Sequence, residues 1–280
     1  MNPDSPQELQ RKQDRLFEYL RGLESLVVAL SGGADSAYLS WAGHQVLGER
    51  CLSVTALSSS FSAHDREQVE RFVRQTGVRH LFIETHELAN PLYLANNADR
   101  CYYCKTELFT ELEKLAAVRN IRALAYGINA DDVGDYRPGH RAATEHTILT
   151  PLLDARLTKA DIRELSRRAG LPTWDRPASP CLSSRLPYGT PVTVEALKRV
   201  EQAEAVLRAL GYRQFRVRYF GDVARIEIGR DELPRATETD LVRMVAAEFA
   251  RLCFRFVELD PEGYRQGSLN EALKVRSVAT

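Results

Sequence analysis

The first half of the chain alternates short apolar runs with stretches of helical periodicity. Residues 25–30 (SLVVAL) are too few for a helix and rich in valine, which predicts a buried strand. The same criteria predict three more strands and three intervening helices: strands 51–57, 79–84 and 121–126, and helices 37–47, 63–75 and 104–118. Strands separated by helices need crossover connections, so the pattern predicts an α/β fold with a parallel sheet and helices on both faces.

The second half begins with less regular sequence. Residues 127–156 are rich in Asp, Gly and Pro and have few periodic apolar positions, which predicts a long functional loop. A helix is predicted at 158–169, with Thr158 as its N-cap and Gly170 ending it. Beyond a proline-rich segment, 171–191, we predict a smaller α+β domain with helices 194–210 and 240–252 and strands 215–220, 223–228 and 253–259.

The composition is that of a globular protein of about two domains. The 280 residues are 44% hydrophobic and 27% charged, with 38 Lys and Arg against 38 Asp and Glu. Zero net charge argues against nucleic acid as the main partner. No apolar run approaches the ~18–20 residues of a membrane span, and the polar N-terminus lacks the apolar core of a secretory signal. We therefore expect a cytoplasmic protein without a membrane partner.

The segment SGGADS stands between a predicted buried strand and a predicted helix. Gly32 and Gly33 let the backbone bend tightly and approach a ligand, while exposed amides and the helix N-terminus bind an anion. Ser31 and Ser36 add hydroxyl donors. Asp35 would repel a phosphate, so it either caps the helix or holds Mg²⁺. The segment is neither a Walker A loop nor a GxGxxG motif, and we interpret it as a phosphate loop rather than a simple turn.

A second polar cluster follows the fourth predicted strand, at the same sheet edge as the phosphate loop. Gly127 permits close approach, and the side chains of Asn129 and Asp131 can bind polar groups of a ligand or a metal ion. A turn stabilised by Asx caps is the alternative interpretation. Three further loop residues are candidates for substrate contact: Asp135, Tyr136 and Arg137.

Three of the five cysteines lie in polar, loop-like sequence: Cys101, Cys104 and Cys181. A CxxC alone fits a zinc site, a redox pair, an iron–sulfur ligand pair or chance. A structural zinc site needs four ligands, and His86 and His140 lack the spacing of a fourth. Three thiolates suit a cubane cluster with one open iron. The remaining two cysteines fall within predicted strands and are expected in the core: Cys51 and Cys253.

Charged residues suited to an anionic substrate occur in both halves. Lys105 can bind a phosphate or carboxylate as a point charge, and Arg185 can bind one bidentately. Arg216 and Arg218 alternate with apolar residues, which places both on one face of a strand. A solvated polar face is the commoner reason for such a pair. For Glu227, pairing with a nearby arginine is the plain alternative to a role in the site.

The SGGADS loop resembles that of the pyrophosphatase-loop (PP-loop) enzymes, which use ATP to adenylylate a carbonyl or carboxyl oxygen and release pyrophosphate. RCYYCK, YGINADDVGDYRPG and PASPCLSSRLPYG, at their intervals, are similar to the LarE-type sulfur transferases, and the resemblance covers residues 23–273. Those enzymes build the nickel-pincer nucleotide of lactate racemase. They adenylylate the carboxylates of pyridinium-3,5-biscarboxylic acid mononucleotide and convert them to thiocarboxylates.

The resemblance implies roles for the candidate residues. ATP and Mg²⁺ would be bound by Ser31, Gly32, Gly33, Asp35, Ser36, Gly127, Asn129 and Asp131. In the family, the pair matching Arg216 and Arg218 lies near a phosphate-binding site, and Glu227 matches an acidic residue of the same region. Together with Lys105 and Arg185, these are the candidates for binding the substrate. One subtype of the family sacrifices the sulfur of a single cysteine, which matches Cys181. The other holds a 4Fe–4S cluster, with an additional sulfide as the transferable atom, on three cysteines that match Cys101, Cys104 and Cys181.

Pattern and resemblance together predict the domain plan and the partners. We expect a helical segment (1–24), a PP-loop ATP-binding domain (25–175), an active-site cysteine loop or linker (176–192) and a substrate or oligomerisation domain (193–280). The expected partners are the small nucleotide substrate, sulfide or another sulfur donor, and other enzymes of the same cofactor synthesis. The family also suggests a homo-oligomer, specifically a hexamer.

Three other functions share parts of this pattern. A tRNA thiolase can combine SGGxDS with a cluster-binding CxxC, but it should carry a basic surface for phosphate contacts. An amide-forming enzyme related to NAD or GMP synthetase would not need Cys181. A zinc-stabilised nucleotide-binding module would hold zinc and not turn over ATP.

Overall fold

Two units make up the fold. The computed structural model describes residues 5–132, 138–177, 179–265 and 267. Unit 1 contains the described residues up to Glu87 and those from Cys101 to Ser179; unit 2 contains Leu88–Arg100 and the described residues from Pro180 onward. Unit 2 thus combines a segment from the first half of the sequence with the C-terminal residues, which the sequence pattern did not indicate.

A four-stranded parallel sheet with the strand order β3-β2-β1-β4 forms the middle of unit 1. Its strands are β1 (Leu26–Ala29), β2 (Cys51–Leu57), β3 (His80–Glu84) and β4 (Ala123–Tyr126). Because successive side chains of a strand face opposite sides, β1 contributes Leu26 and Val28 to one core and Val27 and Ala29 to another. The predicted parallel α/β sheet is therefore confirmed.

Helices cover both faces of this sheet. The helices of the described residues are α1 (Pro6–Arg21), α2 (Ala34–Leu47), α3 (Ala63–Thr76), α4 (Pro91–Leu94), α5 (Arg100–Arg119), α6 (Pro138–Glu145), α7 (Pro151–Asp154), α8 (Lys159–Arg168), α9 (Val194–Ala209) and α10 (Thr239–Arg251). One core holds residues of α1, α2, α3 and α8, and the other holds residues of α5 and α6. None of these helices is long and apolar enough to cross a membrane.

Two sequence predictions in unit 1 were wrong. The helix containing Cys104 begins at Arg100, so the CxxC lies in its first turn and not in a loop. The long loop predicted across 127–156 contains α6 and α7. The buried residues of α6 are Ala142 and Ala143, whose small side chains give little apolar periodicity.

The predicted capping of α8 is confirmed. The Thr158 hydroxyl accepts a hydrogen bond from the Asp161 amide, and the Asp161 carboxylate accepts one from the Thr158 amide, which completes a capping box. Asp161 is fully buried, and its Oδ2 lies 2.7 Å from Nζ of Lys12 on α1. This buried ion pair joins the N-terminal helix to α8.

Unit 2 contains a three-stranded sheet with the order β5-β6-β7. Its strands are β5 (Phe215–Phe220), β6 (Val223–Ile228) and β7 (Phe256–Leu259). β6 is antiparallel to β5 and parallel to β7. One sheet face packs with α9 and α10 in an apolar core that includes Val217, Ile226, Leu207 and Phe249. The predicted smaller α+β region is confirmed.

Cys253 corrects one sequence prediction, whereas Cys51 is buried in β2 as expected. Cys253 is exposed and precedes β7, which begins only at Phe256. Its backbone φ is 63°, in the left-handed region, so it lies in a turn and cannot extend the strand. The apolar letters around it indicated a strand, but the backbone turns there first.

A hydrogen-bonded chain leads from His80 to the end of β1. The Thr55 hydroxyl donates to the Leu30 carbonyl at 2.8 Å, so it accepts from Nε2 of His80 at 2.9 Å. Burial lowers the pKa of His80 from 6.5 to about 4, opposed by the charge of Glu70. His80 is therefore neutral near pH 7 with its proton on Nε2.

We expect this buried histidine to make the fold sensitive to acid. Its folded-state pKa is depressed, so between pH 6.5 and about 4 the unfolded chain binds more protons than the folded one. The free energy of unfolding therefore decreases as the pH is lowered through that range. His80→Gln cannot titrate and should show a shallower loss of melting temperature across that window. Thermal melts of both proteins at a series of pH values measure the difference; parallel curves would contradict the assignment.

Candidate functional site

The phosphate loop, residues 31–36, connects β1 to α2 and takes the form that the glycines predict. Gly32 has a φ of +78°, which disfavours any other residue. The Ser36 hydroxyl accepts from the Ser31 amide at 3.1 Å and lies 3.2 Å from the Gly33 carbonyl, to which it donates. Gly33 is the N-cap of α2, and no side chain of the described residues caps the helix there. The first amides of α2 are thus open to an anion.

Asp35 does not cap α2. Its Oδ2 accepts from the Asn129 amide group at 3.1 Å, while its buried Oδ1 meets no hydrogen-bond partner among the described residues. Burial raises the pKa of Asp35, and the Asp132 carboxylate adds to this, whereas Lys159 opposes it. A buried carboxylate oxygen beside a phosphate-binding loop is a suitable Mg²⁺ ligand, so this residue fits the predicted metal ion.

Gly127 brings β4 against the phosphate loop. A Cβ at this position would lie 2.6 Å from the backbone nitrogen of Ser36 and 2.8 Å from its Cα. Only glycine allows that approach, and the close packing places the buried Asn129 side chain at Asp35. The close contact that Gly127 permits is therefore between the backbone at the end of β4 and the backbone of Ser36.

The Asp131 carboxylate is hydrogen-bonded to the first residue of α8. Its Oδ2 accepts from the Lys159 amide at 2.8 Å, and its own amide donates to Oδ1 of Asn129 at 2.9 Å. The Asx turn considered as an alternative is thus present, and a nucleotide contact by Asp131 stays a prediction. The loop candidates Asp135, Tyr136 and Arg137 lie outside the described residues.

The two cysteines of the CxxC occupy the first turn of α5. Cys101 is exposed and Cys104 is half-buried, and their spacing of three residues places them on one face of the helix. Lys105 follows them, with its Nζ 5.8 Å from the centre of the Phe109 ring and its stem against Gly139. Lys105 thus lies beside the two cysteines in the N-terminal part of α5.

Cys181 precedes a short 3₁₀ helix, Leu182–Arg185, in unit 2. Its carbonyl accepts from the Ser184 amide at 2.9 Å and from the Ser184 hydroxyl at 2.7 Å. The neighbouring Ser183 is bound by the Leu88–Arg100 segment, with Tyr93 Oη 2.7 Å from its hydroxyl and Arg100 Nη1 2.8 Å from its carbonyl. These bonds fix the backbone that carries the half-buried Cys181 thiol.

Arg185 forms a buried bidentate pair with Glu204 of α9. Its Nε and Nη2 lie 2.8 and 3.0 Å from the two carboxylate oxygens, and its Nη1 donates to the carbonyls of Pro180 and Cys181. Burial would raise the pKa of Glu204, but the charge of Arg185 holds it below its ordinary value. The bidentate carboxylate partner of Arg185 is thus a residue of the chain, and its substrate contact stays a prediction.

Arg216 and Arg218 lie on one face of β5, but that face is not solvated. Their exposed fractions are 7% and 6%. Arg218 donates to Glu227 Oε2 at 2.8 Å, the pairing considered as the alternative for that glutamate, and to the Ser184 carbonyl at 2.9 Å. Burial and the positive charge of Arg185 lower the pKa of Arg216 to about 10. Through Arg218, this buried face of β5 is therefore hydrogen-bonded to the backbone of the segment that carries Cys181.

The three candidate cluster ligands have the right chemistry and are divided between the two units. All three are reduced thiols. Cys101 and Cys104 belong to unit 1 and Cys181 to unit 2. Within the described ranges, no group of three or more His, Cys, Asp or Glu side chains is placed to hold a metal ion. The cluster thus remains a prediction from the family.

Comparison with known proteins decides the family. No family model matches the chain. It is 39% identical over 265 residues to an uncharacterized protein of Synechocystis sp., which covers 95% of this chain and 99% of the relative. It is 33% identical over 276 residues to the pyridinium-3,5-bisthiocarboxylic acid mononucleotide synthase of Lactiplantibacillus plantarum, which covers 97% of this chain and 98% of that enzyme.

The chain belongs to the LarE-type family. As a LarE-type protein it is an ATP-dependent sulfur transferase. A relative from Methanocaldococcus jannaschii is 28% identical over 209 residues, covering 74% of this chain and 79% of the relative.

Sequence reasoning missed residues that support the LarE-type site. Glu204 lies in a helix of ordinary composition, and only the fold shows that it pairs with Arg185. Asn96 is fully buried, and its amide group donates to the carbonyls of Pro187 and Thr190 at 2.8 Å each. No sequence signal identified Asn96, because these two carbonyl partners lie more than 90 residues away.

We expect Gly127→Ala to weaken both the fold and ATP binding, because the added methyl group would push β4 away from the phosphate loop. Overpacking of this kind costs about 1–3 kcal/mol. Gly22→Ala is the matched control, since its Cβ would meet nothing closer than 3.4 Å. Thermal melts with and without ATP measure both effects. Equal melting curves for the two variants would contradict the packing account.

We expect Glu204→Ala to destabilise the protein strongly, because it leaves buried guanidinium groups without their carboxylate. Breaking a buried ion pair from one side costs about 3–5 kcal/mol. The control is Glu258→Ala, whose pair with Arg225 is about half exposed and should cost less than about 1 kcal/mol. Urea denaturation measures the free energy of unfolding of both variants. Similar decreases would show that the buried Arg185–Glu204 pair stabilises the fold no more than the exposed pair does.

Proposed function

We propose that the chain converts the carboxylates of pyridinium-3,5-biscarboxylic acid mononucleotide into thiocarboxylates during nickel-pincer nucleotide synthesis. The observation that carries this proposal is the near full-length likeness to the mononucleotide synthase of Lactiplantibacillus plantarum. The open amides of the phosphate loop and the fixed Cys181 segment support it.

ATP serves to activate the carboxylate. A carboxylate is a poor electrophile, so one of its oxygens attacks the α-phosphorus of ATP and pyrophosphate departs, leaving an acyl-adenylate. The phosphate loop binds the phosphates through the amides at the start of α2 and the hydroxyls of Ser31 and Ser36. Asp35, with its unmatched Oδ1, would hold Mg²⁺. The ion, when bound, offsets charge on the departing pyrophosphate.

The arginine face of unit 2 is suited to the acidic substrate. Burial and the neighbouring charge of Arg185 both disfavour the charged form of the Arg216 side chain. A bound anion beside Arg216 would offset that cost and would itself be stabilised. We assign the substrate phosphate to Arg216 and Arg218, with Glu227 orienting Arg218. Arg185 keeps the Cys181 backbone in place, and Lys105 would meet a substrate carboxylate.

Sulfur transfer needs a nucleophile at the acyl carbon. A bound sulfide attacks there directly in the cluster route. In the sacrificial route the Cys181 thiolate attacks and forms a thioester; loss of the Cα proton of Cys181 then breaks its Cβ–S bond, which leaves dehydroalanine in the chain and the sulfur on the substrate. In both routes the C–O bond to the phosphate breaks and AMP leaves with both electrons of that bond. The presence of Cys101 and Cys104 supports the three-cysteine subtype. A 4Fe–4S cluster on the three thiols would supply the transferable sulfide, so that all three cysteines are retained.

The product assay tests the function. Protein purified without oxygen is incubated with the biscarboxylate nucleotide, ATP, Mg²⁺ and sulfide, and thiocarboxylates are measured by mass spectrometry. We expect product from the unaltered chain and none from Cys181→Ala. Cys253→Ala is the control, because that exposed cysteine lies in a turn and belongs to none of the motifs, so its removal should leave activity unchanged. Full activity of Cys181→Ala, or thiolation of tRNA instead, would contradict the proposal.

Iron and sulfide analysis tests the cluster. We expect about four irons per chain, lost in Cys101→Ala and kept in Cys253→Ala, with a broad visible absorbance that follows the iron. Mass spectrometry of the protein after turnover should find Cys181 intact. An iron-free protein that loses one sulfur and two hydrogens at Cys181 would place the chain in the sacrificial subtype.

We also propose that the chain assembles into a homo-oligomer, for which the family suggests a hexamer. Sedimentation velocity tests this; a monomer across the working concentration range would contradict it.

A further inference from the structure

Asp65 and Arg176 join the phosphate loop to helix α3, and neither residue belongs to the motifs that identify the family. Asp65 stands in the first turn of α3, and Arg176 lies beyond α8. The guanidinium of Arg176 donates through Nη2 to the Asp65 carboxylate and through Nη1 to the Gly32 carbonyl. One planar fork therefore connects a buried carboxylate to the backbone of the phosphate loop.

The carboxylate of Asp65 is held by three donors. Besides Arg176, it accepts from the Ser62 hydroxyl at 2.6 Å and from the Ser179 hydroxyl at 3.0 Å. Arg163 donates to the backbone carbonyl of Arg176 at 2.7 Å, which fixes the backbone that carries the guanidinium. The side chains of Asp65 and Arg176 are only 11% and 12% exposed, so water screens the pair weakly.

The bond to Gly32 determines where the next amide points. In a trans peptide the carbonyl and the following N–H point in opposite directions. Arg176 holds the Gly32 carbonyl on its own side, so the Gly33 N–H points away from Arg176. That N–H is 3.5 Å from the Ser31 hydroxyl, a long contact that a phosphate oxygen can replace. A Cβ on Gly32 would lie 2.9 Å from Arg176 Nη1 and 2.9 Å from Cγ2 of Val69, so a side chain at this position would displace the guanidinium or the valine.

We propose that Asp65 and Arg176 are positioning residues for the phosphates of ATP. Asp65 orients Arg176, Arg176 holds the Gly32–Gly33 peptide, and that peptide presents the Gly33 amide to a phosphate oxygen. The inference deepens the proposed function, since it takes ATP as the ligand of the loop.

ATP binding by the unaltered chain and its variants tests the proposal. Titration calorimetry with ATP and Mg²⁺ should give a Kd raised about tenfold or more in Arg176→Gln, the loss expected for a hydrogen bond to a charged group. Asp65→Asn should weaken binding less, and the double variant should be no worse than Arg176→Gln alone, because the two residues act through one contact. Arg66→Gln is the control, since it removes an equal charge from the exposed side of α3.

Steady-state kinetics and a conservative variant separate positioning from simple loss of structure. We expect the KM for ATP to rise while the KM for the carboxylate substrate stays unchanged. Arg176→Lys keeps a charged donor and should recover part of the ATP affinity. If Arg176→Gln does not fold, Arg176→Lys and Asp65→Glu carry the test, each with a raised Kd for ATP.

The outcomes distinguish this inference from the proposed function. Weakened ATP binding in a chain that does not form thiocarboxylates would support the positioning pair and refute the sulfur transfer. Unchanged ATP binding in Arg176→Gln, in a chain that does form them, would overturn the positioning pair alone. Equal losses of ATP and substrate affinity would also overturn it, since they indicate general damage to the fold.

Discussion

Only a residue without a side chain can stand at position 127, because the end of β4 there touches the backbone of Ser36 in the first turn of α2. That contact builds the candidate nucleotide site from the ends of two strands. It brings the buried Asn129 to the Asp35 carboxylate and leaves one oxygen of Asp35 without a hydrogen-bond partner among the described residues. The parallel sheet supplies the common edge, and the missing Cβ lets the two segments close upon it.

The second unit depends on buried charge. Arg185, Arg216 and Arg218 lie close to Glu204 and Glu227, and two of these arginines donate to backbone carbonyls of the cysteine loop. Such groups need partners to be buried at all. The result is a backbone around Cys181 that is held by hydrogen bonds from buried guanidinium groups. The surface exposure that usually accompanies arginine in strands is absent here.

Local signals in the sequence predicted much of this architecture. The SLVVAL strand, the SGGADS loop, the Thr158 cap and strands β5 and β6 were all predicted from short segments, since valine runs, glycine pairs and capping side chains act locally. The CxxC was misplaced in a loop because tyrosine and cysteine are weak helix formers. α6 was missed because alanines bury little apolar area. Cys253 was misassigned because no side-chain pattern shows a left-handed backbone.

Partners distant in sequence could not be predicted in the same way. Glu204 looks like any glutamate on a helix, and Asp65 and Arg176 are more than 100 residues apart in the sequence. Yet Glu204 contacts Arg185, Arg176 contacts Gly32 and Asp65 contacts Ser179, each a residue of a motif. Their roles depend on tertiary folding, which places one charge within reach of another.

The central claim is that the phosphate loop serves to adenylylate a carboxylate before sulfur replaces one of its oxygens. Oxygen-18 tests it most directly. With both carboxylates of the substrate labelled, the oxygen that attacks the α-phosphorus leaves with AMP when the C–O bond breaks. The account predicts one labelled oxygen in AMP for each thiocarboxylate formed, measured by mass spectrometry. Unlabelled AMP, or ADP formed together with labelled phosphate, would contradict it.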